Sequence, residues 1–147
     1  MRKPVAVVFA TIAYVALEIA GLGMTSLLLD EDVIAASDLG PLPGVVGTCL
    51  ATVVFVVGLA LSLRPARASF WGALWTALAT ALAYVAGAGL GALLAGSGLA
   101  VAAAAAGRIV TGWFGVVVLV SAFVSAWGGI ALTRTRAHRP QWPWEQQ

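Results

Sequence analysis

Cysteine and histidine are almost missing from this chain of 147 residues, which holds one of each, Cys49 and His138. An internal disulfide is therefore excluded, and so is a metal site built from several Cys or His ligands. Charge is scarce as well: Asp, Glu, Lys and Arg make up 10% of the residues, and the net charge is +2. The pI is about 9.2, but the basic residues are scattered between apolar segments, so no nucleic-acid-binding patch is expected. No phosphate loop, zinc-protease helix or nucleophile elbow occurs, and the polar stretches are too short to form a soluble catalytic domain. The expectation is a non-enzymatic protein with no cofactor, no metal and no nucleic-acid partner.

What the chain has instead is apolar surface. The composition is 61% hydrophobic and the mean hydropathy is +0.99. A soluble domain of this size could not hide that much, so the lipid bilayer is the solvent it implies. Four segments, at about residues 5–29, 44–63, 69–95 and 108–133, reach the ~20 residues that span a hydrocarbon core. None alternates with period two, so a barrel is not indicated. In lipid each must then be a helix that satisfies its own backbone. The expected fold is all-α: one integral membrane domain over residues 1–147, a four-helix transmembrane bundle with antiparallel neighbours, followed by a tail at 134–147.

Basic residues set the expected orientation. Arg2, Lys3, Arg64, Arg67, Arg134, Arg136 and Arg139 all fall on one side of a four-span arrangement, and only Arg108 falls on the other. The positive-inside rule places the seven, and both termini, in the cytoplasm. Asp30, Glu31, Asp32 and Asp38 fall in the opposite loop and read as a solvated helix end rather than a cation site, because their spacing is not that of an EF-hand. Trp71, Trp75, Trp113 and Trp127 lie near helix ends, where indoles favour the interface. Trp142, Pro143 and Trp144 put two aromatics in a basic tail that suits the headgroup layer. The first segment exceeds a signal-peptide core and contains Glu18, so it reads as a span that is retained. Cys49 reads as a small apolar filler without exposure, and His138 as a solvated tail residue. Gly96, Ser97 and Gly98 should end the third helix. The alanine-rich run that follows calls for a break near Gly107 or a helix projecting outside.

Glu18 lies near the middle of the first span. A charge there costs at least ~2.5 kcal/mol, so such residues face the protein interior and are functional candidates. Thr11, Tyr14, Glu18, Gly21 and Thr25 fall on one stripe. Depth matching brings Tyr84 and Ser121 to Glu18, with Thr52 and Thr80 as further partners. No cation lies at that depth, so Glu18 is expected to be often protonated at neutral pH. Two roles stay open for it: proton exchange, or a structural hydrogen bond between helices. Small residues at Ala79, Ala83, Gly87, Gly91 and Ala95, and at Ser121, Ser125 and Gly129, form ridges for close helix packing, inside the bundle or between copies.

These residues carry a resemblance. Glu18 followed by Gly21 is similar to the glutamate-x-x-glycine of the small multidrug resistance transporters. Tyr84 followed by Gly87, Gly89 and Gly91 looks like that family's tyrosine and glycine kink. The resemblance implies four short helices, with the first-helix glutamate binding protons and cationic substrates. This chain lacks the family's tryptophan between tyrosine and glycines, and adds an alanine-rich insertion and a Trp-Pro-Trp tail. Its alanine, valine and glycine bias resembles small uncharacterised membrane proteins of high-GC bacteria. The leading expectation is an accessory or assembly partner that acts through helix contacts, with a membrane protein or another copy of itself as partner. The alternative is a small proton-coupled transporter that uses Glu18.

Overall fold

With few side chains to bridge and no water to solvate a free backbone, each apolar run closes its own hydrogen bonds as a helix. The computed structural model describes residues 3–30, 40–64 and 69–134. It contains α1 (Lys3–Leu29), α2 (Leu42–Ser62), α3 (Trp71–Leu94), α4 (Leu99–Thr111) and α5 (Trp113–Arg134). No strand occurs among the described residues, and the fold is all-α. The helices α1, α2, α3 and α5 are each long and apolar enough to cross a membrane. Arg2, Glu31, Asp32, Asp38, Arg67, Arg136, His138, Arg139, Trp142, Pro143 and Trp144 lie outside the described residues.

The four long helices form a ring in which α2 packs on α3, α3 on α5, α5 on α1 and α1 on α2. The core is thin: Tyr14, Ala51, Phe55, Leu59, Tyr84, Val118, Ala122 and Ile130 fill it. Val8, Phe9, Ile12, Ile19, Val53 and Val57 face outward. This is the arrangement expected when the outer solvent is lipid and small residues draw the helices together.

The α2–α3 contact is the closest. A Cβ at Gly91 would stand 2.5 Å from Pro43 Cα, and one at Gly87 would stand 2.8 Å from Gly47 Cα. Only a residue without a side chain lets the two backbones meet there. Ser62 ties the other end of the pair, donating to the Gly58 carbonyl at 2.8 Å and lying 3.3 Å from Thr76 Oγ1. On α5, Gly129 packs against Ala10 of α1 and Leu59 of α2. Ser121 and Ser125 are also buried.

Three expectations need correction. Ala79 is exposed and Ala83 only half-buried, so the four-residue ridge leaves the packed face. A strict four-residue repeat rotates ~40° per step on a helix of 3.6 residues per turn. The buried face of α3 instead follows alternating steps through Ala73, Thr76, Ala77, Thr80, Tyr84, Gly87, Ala88, Gly91 and Ala92. Cys49 is exposed on α2, not packed inside. The fourth span starts at Trp113 rather than Arg108.

The alanine-rich run neither projects nor breaks at Gly107. α3 ends in a Schellman motif: Gly96 takes φ +86°, Ser97 N–H donates to the Ala92 carbonyl, and Gly96 N–H to the Leu93 carbonyl. α4 then folds back along α3, with Ala102 against Ala92 and Ile109 in the main core. At 13 residues it is shorter than the ~20 needed to cross. It stops at Gly112, whose N–H donates to the Arg108 carbonyl at 2.8 Å. One turn on, Gly115 lies against the Ile109 carbonyl so closely that no Cβ would fit.

At one end of the bundle, Lys3 Nζ donates to the Arg64 carbonyl at 3.3 Å. At α5's last turn, Arg134 stacks over the Phe70 ring at 4.5 Å, and that ring faces Trp127 at 6.1 Å. At the other end, α5 begins with Trp113 beside Thr25, Leu28 and Leu29 of α1.

Candidate functional site

Glu18 is 0% exposed and so is Tyr14, one turn before it on α1. The i, i+4 spacing puts both on the inward stripe with Ala6, Ala10 and Leu22. Thr11, Gly21 and Thr25, from the expected polar stripe, are half-buried at its margin.

From α2, Thr48 Oγ1 donates to Glu18 Oε1 at 3.3 Å. Its own neighbour Thr52 turns away from the carboxyl and donates to the Thr48 carbonyl at 2.8 Å. The Tyr14 ring stacks on Phe55 of α2, with centroids 4.6 Å apart and planes 12° from parallel. Such a pair contributes ~0.5–1.5 kcal/mol beyond its buried area. Stacking pins the ring and holds its hydroxyl beside Glu18. Tyr84 of α3 is buried in the same core, and its ring lies over Gly47, where a Cβ would stand 3.3 Å from Tyr84 Cε2.

The site therefore draws on three helices: Glu18 and Tyr14 from α1, Thr48 and Phe55 from α2, and Tyr84 from α3. Glu18 Oε2 and the Tyr14 hydroxyl are buried beside each other, and neither has a hydrogen-bond partner elsewhere. A buried carboxyl with one oxygen bonded and one open is held in place but not saturated. That is a group that can take a proton or, once ionised, a cation.

Of the other residues expected here, Ser121 lies beside Gly21, one turn from Glu18. Thr80 donates back to the Thr76 carbonyl at 2.7 Å. Ser125 is buried, and its hydroxyl has no partner. The Tyr84 to Gly91 segment lies within one uninterrupted helix, α3. Thr48 was missed because depth was counted from the helix ends. Glu18 lies eleven residues before the end of α1 at Leu29, but Thr48 lies only six after the start of α2 at Leu42. The 27-residue α1 overhangs the 21-residue α2, which shifts the register by more than a turn. No group of three or more His, Cys, Asp or Glu suited to a metal occurs among the described residues.

No curated protein and no solved structure matches the chain, and no likeness to the small multidrug resistance transporters is shown. Residues 2–147 match a family described as a family of unknown function (DUF6121), and the chain belongs to that family.

Proposed function

We propose that this DUF6121 protein is a small proton-coupled carrier of the cell membrane, in which Glu18 exchanges its proton for a cation. One observation carries the reading: Glu18 is sealed in the span with only the neutral hydroxyls of Thr48 and Tyr14 beside its carboxyl, and Oε2 has no partner elsewhere. A carboxylate alone in that setting is costly, so the group holds either a proton or another cation. The exchange is balanced: the neutral acid releases one proton and the carboxylate binds one monovalent cation. Thr48 keeps its donor on Oε1 through both states, and Tyr14 can supply a donor to Oε2 once the proton has left. Lys3, Arg64 and Arg134 at one end of the bundle support a cytoplasmic position for that end.

The test is reconstitution in vesicles. A pH gradient should drive uptake of a monovalent organic cation by the wild type and not by Glu18→Gln.

A contact role, as accessory or assembly partner, rests on a different observation. Trp71, Trp75 and Leu82 lie on one outward stripe of α3. The small-residue ridges are spent inside the bundle, since Gly87 and Gly91 pack on α2 and Gly129 packs on α1 and α2. A partner would have to use the outward stripe instead. Under this role Glu18→Gln leaves partner binding intact.

A further inference from the structure

The elbow between α4 and α5 leaves a cavity of about 230 Å³ between α3, the last turn of α4 and the first turns of α5. It exists because Gly115 has no side chain where the Ile109 carbonyl approaches, and because α4 stops short of crossing. Its floor is Tyr84, Ile109 and Val118, all buried. Its mouth is Leu82, Val110 and Val116, which are 69%, 63% and 48% exposed. Apart from Tyr84, every one of these side chains is hydrocarbon. The mouth opens on the outward face of helices long and apolar enough to span a bilayer.

We infer that this cavity is a binding site for a single lipid acyl chain that enters from the side of the bundle. Water is a poor occupant: an enclosed cavity of ~150 Å³ with comparable lining stays dry and takes benzene instead. An unfilled void forfeits the dispersion contacts of all the atoms around it. The bilayer supplies flexible hydrocarbon at the mouth, at the depth of α3 and α5. A chain inside would lie against Tyr84. The site stands whether or not Glu18 exchanges protons.

The experiment uses the full chain in phosphatidylcholine vesicles doped with a phosphatidylcholine that carries a diazirine in one acyl chain. After illumination, labelled residues are mapped by mass spectrometry. Ile109 and Val118 are buried from bulk lipid, so label on them reports a chain inside the cavity. The expected result is label on Ile109 and Val118 in the wild type. It should fall several-fold in Val116→Trp or in Leu119→Trp, a second position of the cavity wall, while label on the lipid-facing Val53 and Val57 of α2 is unchanged. Label confined to outward residues in the wild type would overturn the inference. So would floor labelling that persists in both filled variants.

Discussion

The Thr48 hydroxyl on α2 donates to Glu18 on α1 at 3.3 Å, and it is the one hydrogen bond that joins the carboxyl to another helix among those described. Its removal has a bounded effect. Interhelical hydrogen bonds in lipid average ~0.6 kcal/mol and reach ~1.7. Thr48→Val should lower resistance to unfolding in SDS by that order, with α-helical content retained. A loss of several times that amount would mean that Thr48 carries packing as well.

Gly91 and Pro43 make the closest backbone approach between α2 and α3. Gly91→Leu should destabilise the monomer by at least the ~1–3 kcal/mol typical of an overpacked core, without changing oligomeric state in cross-linking. Ala79→Leu, at an exposed site on the same helix, should change stability by no more than ~0.5 kcal/mol. Equal sensitivity at both positions would mean that α3 packs by the four-residue ridge after all.

Two glycines near the elbow should respond in opposite directions. Gly115→Ala forces a methyl into the Ile109 carbonyl and should loosen α4 from α5. The change would be seen as faster amide exchange over residues 99–115. Gly107 has nothing within 4 Å of an added Cβ and lies inside α4. Gly107→Ala should therefore be neutral or stabilising by up to ~1 kcal/mol, from helix propensity.

The orientation can be read by labelling. In a Cys49→Ser background, a membrane-impermeant maleimide applied to intact cells should reach Asp30→Cys and not Lys3→Cys. The reverse pattern would put the basic end outside.

The spans were legible because transfer to lipid depends on local composition, and no tertiary contact is needed to see that 5–29 is apolar. The elbow was not. Glycine is tolerated within a helix, so Gly107 is an interruption in the sequence but not in α4, whereas Gly112 and Gly115 matter through the approach of the Arg108 and Ile109 carbonyls, which only the fold creates. The inward positions of Glu18 and Tyr14 followed from helical period alone. Their neighbours across the bundle depended on how far α1 overhangs α2, and that is why Thr48 lies where Thr52 had been expected. Cys49 failed for a related reason: in an apolar helix nothing in the sequence marks the lipid face, and a thiol is small enough for either side.

Under the proposed function, Glu18 exchanges its proton for a cation. The most direct measurement is proton release from detergent-purified protein in weakly buffered solution as tetraphenylphosphonium is added, with Glu18→Gln alongside. Release of about one proton per chain by the wild type, and none by the variant, is the expected result. Binding of the cation to both proteins with no proton released would contradict the claim and leave Glu18 as a structural hydrogen bond between α1 and α2.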